Sequence, residues 1–256
     1  MITSNLIGGL GNYMFQIATT YSLSIDYGIE NIFNINDNLK VHNHITTYVH
    51  NILRNVNFVN YALPIINHYN EPFFHYQEIK YIHNVRLNGY FQSEKYFAHN
   101  REKILELYSI DKNSKKEIYE KYGKFLNKNT CSLHVRRGDY LSLVNYHPPC
   151  DLDYYNNAIN EFSNDTLFLV FSDDINWCKE VFTGDNFIFI ENNYDYIDLW
   201  LMSLCKNNII ANSSFSWWSA WLNKNENKKV IAPYKWFGHA KPYNTNDIIP
   251  SEWKKI

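Results

Sequence analysis

The chain has 256 residues, of which 45% are hydrophobic and 20% are charged, and its formal net charge is −2. This composition is typical of a globular protein with one large or two small domains, and it excludes a disordered chain. The nearly balanced charge argues against nucleic acid as a partner, because there is no excess of basic residues to neutralise a phosphate backbone.

The beginning of the chain predicts one clear strand–turn–helix unit. Residues 2–7 are predicted as a strand, and the glycines that follow it predict a tight turn. Apolar residues recur with helical spacing over 12–27, which predicts a helix. Residues 36–85 have weak periodicity and predict only short elements and loops.

A second group of elements closes the first half of the chain. Residues 88–91 are predicted as a short strand and 94–108 as a helix. The polar stretch 111–116 is predicted as an interdomain boundary. The resulting domains are 1–110 and 111–256, and the C-terminal tail could pack back on the first domain.

The second half alternates short apolar strands with helices. The predicted strands are 131–135, 167–171, 187–190, 209–211 and 230–232. The predicted helices between them are 151–162, 177–182, 197–205 and 215–222. Such alternation predicts an α/β, Rossmann-like domain with a parallel sheet, which binds ligands at the carboxyl ends of its strands.

A pair of arginines follows the predicted strand 131–135, in the sequence HVRRGDY at 134–140. The planar guanidinium groups of Arg136 and Arg137 are suited to phosphate oxygens, and a departing nucleoside diphosphate needs such a cation as its negative charge develops. Asp139 could orient an arginine or accept a hydrogen bond from a sugar hydroxyl. The alternative interpretation is a structural Arg–Asp ion pair at the sheet edge.

Two carboxylates, Asp173 and Asp174, follow the predicted strand 167–171. A carboxylate at a strand end could accept two hydrogen bonds from the edge of a guanine, or it could bind a metal. The alternative is an N-cap of the next helix, where acidic residues complement the helix dipole.

A serine-rich segment, NSSFSWW at 212–218, joins the predicted strand 209–211 to a helix. The N–H groups and hydroxyls at such a helix start, including those of Ser213, Ser214 and Ser216, can bind an anion. The alternative is simple capping by serine. The two tryptophans are predicted to belong to the core rather than to a sugar-binding surface.

A glycine-rich loop formed by Gly8, Gly9, Gly11 and Asn12 follows the first predicted strand. It is neither a GxGxxG motif nor a P-loop with its Lys-Ser/Thr, which disfavours NAD or ATP as ligands. Close approach of the backbone to another ligand is one interpretation, and a plain tight turn is the other.

The cysteines and the N-terminus bear on the cellular compartment. Cys131, Cys150, Cys178 and Cys205 form no CxxC pair, so buried free thiols are predicted rather than a zinc site or a disulfide scaffold. The N-terminal segment lacks the features of a signal peptide, and no stretch approaches the ~20 apolar residues of a membrane span. We therefore expect a soluble, cytoplasmic protein.

Taken together, these segments resemble the α-1,2-fucosyltransferase family of bacterial surface-glycan pathways. The matching blocks occur in the order of the family and span nearly the whole chain. They are GGLGNYMFQIA at 8–18, GYFQSEKYF at 89–97, HVRRGDY at 134–140, FSDD at 171–174, DLWLMSLCKNNIIANSSFSWWSAWLN at 198–223 and PYKWF at 233–237.

The resemblance implies a GT-B fold, with two Rossmann-like domains facing across a cleft. It implies an inverting transfer of L-fucose from GDP-β-L-fucose to the 2-hydroxyl of a galactose-terminated oligosaccharide. Domain 111–256 would bind most of the GDP-fucose, and domain 1–110 would lie on the acceptor side. No cofactor and no metal are expected, since an arginine replaces the metal at the diphosphate. A lipid-linked acceptor could bring the enzyme to a membrane surface.

Residue by residue, the resemblance implies that Arg136 binds the β-phosphate, that Arg137 is its partner and that His134 contacts the nucleotide. Asp173, or alternatively Asp174, would read the guanine. Further donor contacts are implied for one group of residues in each half of the chain. These are Ser213, Ser214 and Ser216, and the backbone or side chains of Gly9, Gly11 and Asn12.

The base that takes the acceptor proton is the least defined part of the site. Asp139 is favoured because it lies beside the phosphate-binding arginine in sequence, with Glu94, Asp37 and His147 as alternatives. The leaving phosphate could also take the proton. Two other functions stay open: a fucosyltransferase of another linkage or acceptor (α-1,6 or protein O-linked), and a non-catalytic protein that binds glycans or nucleotide sugars.

Overall fold

The computed structural model of this protein describes residues 1–38 and 45–256. The described chain forms two compact units. The first comprises Met1–Ser109 and Tyr243–Pro250, and the second comprises Ile110–Pro242 and Ser251–Ile256. The first unit therefore includes a segment from near the end of the sequence.

The first unit is built on small parallel sheets. Its strands are β1 (Ile2–Ser4), β2 (Phe33–Asn34), β3 (Phe58–Val59), β4 (Asn67–Asn70) and β5 (Val85–Asn88). Its helices are α1 (Leu10–Tyr27), α2 (Ile45–Tyr48) and α3 (Arg101–Leu107), with 3-10 turns at Ile35–Asn38, Glu94–Tyr96 and Ala98–Asn100. Strands β1, β5 and β4 pair in that order, and β2 pairs with β3.

Helix α1 confirms the helix predicted over 12–27. Its residues are apolar on more than one face, and Tyr13, Phe15 and Ile17 are fully buried. The helix ends where Gly28 adopts a left-handed conformation, with φ of 61°. The strand predicted at 88–91 is wrong, because strand pairing ends at Leu87 with β1 and at Asn88 with β4, and the chain then turns.

The second unit contains one parallel sheet of six strands. Its strands are β6 (Thr130–Val135), β7 (Leu167–Ser172), β8 (Phe187–Phe189), β9 (Asn207–Ile209), β10 (Val230–Ala232) and β11 (Lys254–Lys255). Its helices are α4 (Lys112–Leu126), α5 (Leu152–Ile159), α6 (Ile175–Val181), α7 (Asp195–Leu204) and α8 (Ser214–Leu222), with a 3-10 turn at Asp139–Ser142. The strand order is β11-β10-β9-β6-β7-β8.

This strand order places a topological switch point between β6 and β9. From β6 the chain builds β7 and β8 on one side, and it then returns to build β9, β10 and β11 on the other side. In open parallel sheets, the loops that leave the strands at a switch point diverge and open a crevice for a ligand. The loops after β6 and β9 are therefore the first place to look for a site.

The polar stretch 111–116, predicted as an interdomain boundary, forms the start of helix α4, directly after the division between the two units at Ser109 and Ile110. The side chain of Asp111 accepts hydrogen bonds from the N–H groups of Asn113 and Ser114, which is an N-cap. The core-facing residues of this helix are few, Ile118 and Tyr122 among them, so its apolar periodicity is weak.

The tryptophans of α8 lie in the core, as predicted. Trp217, Trp218 and Trp221 are at most 1% exposed, and Trp217 also packs against Trp253. This cluster fixes α8 beside the sheet and so fixes the serine-rich turn at its start. Among the described residues, no helix is long and apolar enough to cross a bilayer.

Candidate active site

The charged residues predicted from the sequence meet at the carboxyl edge of the six-stranded sheet. Arg136 and Arg137 follow β6 directly, and Asp173 and Asp174 follow the neighbouring strand β7. Because β6 and β7 pair in parallel, the ends of the two strands lie side by side. The structure therefore brings both arginines and both carboxylates into one cluster.

The guanidinium group of Arg136 is held by two carboxylates. Its Nη2 lies 2.6 Å from Oδ1 of Asp139, and its Nη1 lies 3.0 Å from Oδ2 of Asp173. It also lies 5.4 Å from the centre of the Tyr140 ring. The side chain is still 34% exposed, so Arg136 is an oriented cation that a bound anion could reach.

Arg137 is engaged more fully within the protein. Its Nε donates to Oδ2 of Asp174 at 3.0 Å, and its guanidinium stacks 3.9 Å from the centre of the Trp177 ring. Its backbone N–H donates to Oδ1 of Asp173 at 2.9 Å. Its side chain is 19% exposed, so it is less available to a ligand than Arg136.

Asp173 and Asp174 both have structural partners in this arrangement. Asp173 binds Arg136 and the backbone of Arg137. Asp174 caps α6, where it accepts from the N–H of Trp177, and it also binds Arg137. The capping interpretation thus holds for Asp174, while Asp173 lies in the centre of the ion-pair network.

Gly138 permits this close approach of the two loops. A Cβ atom at this position would lie 2.4 Å from Oδ2 of Asp173 and 3.0 Å from its Cγ. Any larger residue would therefore push the carboxylate away from Arg136. Glycine is therefore needed at position 138 to keep Asp173 in place, and not only to form the turn.

The serine-rich turn lies across the switch point from Arg136. The hydroxyl of Tyr140 donates to the carbonyl of Asn212 at 3.1 Å, which joins the loops after β6 and β9. Ser213 caps α8 through the N–H of Phe215, and Ser214 is the half-buried first residue of the helix. Ser216 is fully buried, and its hydroxyl donates to the carbonyls of residues 211 and 213.

His134 lies at the end of β6 and is 6% exposed. Burial, with the nearby positive charge of Arg136, lowers the pKa of its imidazole to about 3. The ring lies 5.5 Å from that of Phe215, and its Nδ1 is buried with no hydrogen-bond partner among the described residues. His134 is therefore a neutral group with one unused polar atom beside the serine-rich turn.

The alternatives to Asp139 as a base differ in their surroundings. His147 lies 5.1 Å from the Tyr140 ring, but its Nε2 lies 2.9 Å from Nζ of Lys241. Because a lysine ammonium only donates, this imidazole nitrogen is the acceptor and is already used. Glu94 is half-buried in the first unit, and the side chain of Asp37 lies outside the described part of the structure.

The predicted glycine-rich loop belongs to the first unit. Gly8 has φ of +88°, and a Cβ there would lie 2.2 Å from Nδ2 of Asn12. Gly9 precedes α1, and no atom lies within 4 Å of the position its Cβ would take. Gly11 is buried within the helix, whereas Asn12 is half-buried and accepts from Nε2 of Gln92 at 2.7 Å.

Sequence reasoning missed the residues that organise this edge of the first unit, which are Glu71, Gln16 and Gln92. Gln16 is fully buried and binds the backbone of Ile7 and Gly89. Both glutamines lie inside the family blocks 8–18 and 89–97, so the resemblance contained a signal for them. Glu71 lies outside every block.

Within residues 1–38 and 45–256, the His, Cys, Asp and Glu side chains form no group of three or more that could hold a metal ion. The four cysteines are all free, and three of them are buried.

Comparison with known proteins supplies the family. The sequence model of glycosyl transferase family 11 matches residues 1–256. An α-1,2-colitosyltransferase of Escherichia coli is 35% identical over 100% of this chain and 99% of its own length. The O-antigen biosynthesis glycosyltransferase WbnK of Escherichia coli is 34% identical over 95% of this chain and 98% of its own. Galactoside α-(1,2)-fucosyltransferase 2 of Hylobates lar is 28% identical over 87% and 69%, respectively.

Among solved structures, the NodZ α-1,6-fucosyltransferase soaked with GDP-fucose resembles this chain with a TM-score of 0.55. The match covers 86% of this chain and 92% of that one at 13% identity. This likeness, together with the parallel sheets of both units, confirms the predicted α/β fold of the GT-B type.

Proposed function

The chain belongs to glycosyl transferase family 11, and we propose that it transfers L-fucose from GDP-β-L-fucose to the 2-hydroxyl of a terminal galactoside. The observation that supports this most strongly is the half-exposed, doubly held guanidinium of Arg136 at the switch point of the second unit's sheet. A preoriented cation there can bind the β-phosphate and stabilise its charge as the sugar leaves.

The remaining donor contacts follow from the same edge of the sheet. We assign the diphosphate to Arg136 and the start of α8, with Ser213 and Ser214 nearest to it. Asp173 can accept hydrogen bonds from the N–H groups of guanine if its carboxylate gives up its contact with Arg136. Arg137 and Ser216 then support the site from behind, since both have partners within the protein.

The reaction forms a bond between the acceptor oxygen and C1 of the sugar, and it breaks the bond between C1 and the β-phosphate oxygen. The acceptor proton needs a base, which we assign to Asp139. This carboxylate is 55% exposed and lies 2.6 Å from Arg136, so it is the carboxylate of the cluster that an acceptor can most readily reach. Neutral His134 adds no charge to the site, and we assign it a contact with the nucleotide because its buried Nδ1 has no hydrogen-bond partner among the described residues.

Two further parts of the proposal concern the first unit and the metal. Within the first unit we assign donor contacts to the exposed Gly9 and the half-buried Asn12, while Gly11, which is buried in α1, shapes the start of the helix. The reaction needs no metal or cofactor, because Arg136 supplies the charge at the diphosphate. We place it in the cytoplasm, which the four free cysteines favour, with a lipid-linked glycan as an acceptor that would bring the protein to a membrane surface.

A second donor is favoured by a specific observation. The relative that is 35% identical over the whole chain is named a colitosyltransferase, whereas the relatives named galactoside fucosyltransferases are 26–29% identical. Colitose is fucose without its 3-hydroxyl, so a change of one sugar contact separates the two donors. GDP-colitose is therefore the competing substrate, with the same α-1,2 linkage.

The test is GDP release from the purified protein with GDP-fucose or GDP-colitose, lactose as acceptor and EDTA present, followed by linkage analysis. We expect release with one donor and a product linked at position 2 of galactose. A product linked elsewhere would overturn the α-1,2 assignment, and transfer that requires added Mg²⁺ or Mn²⁺ would overturn the role of Arg136 as the sole cation. Tight GDP binding without transfer to any acceptor would favour a non-catalytic protein.

A further inference from the structure

Three loops at the carboxyl edge of the first unit's sheet form one hydrogen-bonded structure. Oε1 of Gln16 accepts from the N–H of Ile7 at 3.0 Å, and its Nε2 donates to the carbonyl of Gly89 at 3.0 Å. Gln92 adds a bond to Asn12. The loop after β1 and the loop after β5 are therefore held together by buried amides.

Glu71 joins the third loop to this structure. It follows β4, and its two carboxylate oxygens accept from the N–H groups of Tyr90 at 2.7 Å and Phe91 at 3.0 Å. A Cβ on Gly89 would lie 2.4 Å from the Cβ of Glu71. The loop 89–92 is thus shaped around this one side chain.

The backbone of this loop is held in an uncommon conformation. Phe91 has φ of 52°, in the left-handed region that a bulky residue rarely adopts. Its ring is fully buried between Tyr69 and Tyr96, with ring centres 6.4 and 5.5 Å away. Such conformations persist where the surroundings enforce them, and they concentrate at functional sites.

The segment 71–76 is anchored at both ends and presents aromatic rings between its anchors. Glu71 fixes one end, and at the other the N–H of Tyr76 donates to Oδ2 of Asp247 at 3.0 Å. Phe73 is 56% exposed and stacks on His75 with ring centres 5.2 Å apart. Phe73 therefore presents an exposed aromatic face on a fixed backbone, which a ligand can contact with little further ordering of the chain.

The chemistry of these loops fits a neutral ligand. Neither 71–76 nor 89–92 contains a lysine or an arginine, and the nearby Lys95 is paired with Asp247, so these loops offer no unpaired lysine or arginine to a diphosphate. Aromatic faces and amides are suited to a pyranose, whose C–H groups pack on a ring while its hydroxyls form hydrogen bonds.

We propose that segments 71–76 and 89–92 form the surface that binds the acceptor glycan, and that Glu71 is the positioning residue that fixes both. The proposal rests on the transferase function proposed above. The ligand of the first unit's edge would be the neutral oligosaccharide acceptor. Its sugar rings would pack on the side chains of Phe73 and Tyr90, of which Tyr90 is 40% exposed.

The ionisation of Glu71 makes the surface sensitive to pH. Burial raises the pKa of its carboxyl to about 7 against the lowering effect of the two N–H bonds. The titratable groups that interact with it are the phenols of Tyr69 and Tyr96, whose pKa values are raised, so they stay neutral near pH 7. Since the ionised carboxylate accepts both N–H bonds best, acceptor binding should improve as the pH rises through about 7.

The experiment measures KM for lactose and the Kd for GDP in two variants with matched controls. Phe73→Ala is paired with Tyr61→Ala, a ring 57% exposed in the same unit, and Glu71→Gln is paired with Glu78→Gln, an exposed glutamate. We expect Phe73→Ala and Glu71→Gln each to raise the lactose KM roughly tenfold with unchanged GDP affinity. The controls should resemble the wild type.

Glu71→Gln should also abolish the fall in lactose KM between pH 6 and 8, which a change in folding alone would not do. Wild-type transfer with unchanged lactose KM in both variants would overturn this surface alone. Loss of GDP affinity equal to the rise in lactose KM would overturn the acceptor assignment in favour of the donor. No transfer by the wild type with any acceptor would overturn the proposed function and this surface together.

Discussion

The two sheets of this protein end in very different sets of side chains. At the carboxyl edge of the second unit, Arg136 and Arg137 bind three aspartates within 3.0 Å. At the corresponding edge of the first unit, the carboxylates of Glu71 and Asp247 accept from backbone N–H groups, and Asp247 also pairs with Lys95. The loops there are further joined by the amides of Gln16 and Gln92.

This difference indicates which ligand each edge can bind. At the second edge, the aspartates keep the guanidinium of Arg136 oriented without burying it. An incoming anion can therefore replace carboxylate contacts without a rearrangement of the loops. The first edge offers shape, aromatic faces and hydrogen bonds without net positive charge. This difference fits the two proposals above, a charged donor at the second unit's edge and a neutral acceptor at the first unit's edge, and variants at either edge can test it.

The largest expected effect is at Arg136. Arg136→Ala removes the oriented cation, which should lower kcat by about 10²–10³-fold or more, since such a contact contributes roughly 3–4 kcal/mol to the barrier. Arg136→Lys keeps the charge but loses the fork that reaches both carboxylates, so it should recover only a small part. Activity of Arg136→Ala within tenfold of the wild type, in a protein with an unchanged circular dichroism spectrum, would contradict the phosphate role.

The second prediction tests whether Asp139 acts as a base or only orients Arg136. If the carboxylate takes the acceptor proton, Asp139→Asn should lower kcat by about 10²-fold or more. Asp173→Asn is the matched variant, because it also removes a carboxylate from Arg136, and it should lower kcat much less. If both variants lose activity equally, Asp139 only orients the arginine.

A third comparison uses glycines from the two edges. Gly138→Ala places a methyl group against Asp173 and should reduce kcat by roughly tenfold through displacement of that carboxylate.

Gly9→Ala meets no protein atom within 4 Å, so the folded protein should tolerate it. If the donor approaches the backbone at Gly9, this substitution should raise the KM for the GDP-sugar while the melting temperature is unchanged; wild-type kinetics would remove Gly9 from the donor site.

The second unit could be predicted well from the sequence because its strands, helices and motifs are each encoded by short contiguous segments. Each strand is a short apolar run, and the strand predicted at 230–232 has those bounds in the structure. The motif at 134–140 carries its own chemistry, and parallel pairing of β6 with β7 brings it to Asp173. The exceptions are shifts of one to three residues at element ends and helix α4, whose weak periodicity hid it.

The first unit could not be predicted to the same extent because its contacts are distant in sequence. Gln92 binds Asn12 across 80 positions, and Gln16 binds Gly89 across 73. Strands of two to four residues leave almost no alternation to detect, as in β4, which is mostly exposed. Glu71 looks like one more surface carboxylate until the fold places the N–H groups of Tyr90 and Phe91 against it.

The smallest effect is one of stability, and it has opposite signs at the two edges. His134 has a pKa of about 3 in the folded protein against 6.5, so the unfolded chain binds more protons between these values and stability falls as the pH falls from 6.5. Glu71 has a pKa of about 7 against 4.5, so the folded chain binds more protons and stability falls as the pH rises from 4.5. Each contributes a slope of at most about 1.4 kcal/mol per pH unit.

For cooperative unfolding of the whole chain, these two slopes oppose each other between pH 4.5 and 6.5. His134→Asn should therefore leave a protein whose free energy of unfolding, measured with urea, falls relative to the wild type as the pH rises across this window. Glu71→Gln should give the reverse trend. If the free energy of unfolding varied with pH in the same way for the wild type and both variants, burial would perturb the pKa of neither His134 nor Glu71. The contrast between the two edges, a neutral histidine in one and a titrating carboxylate in the other, would then be wrong.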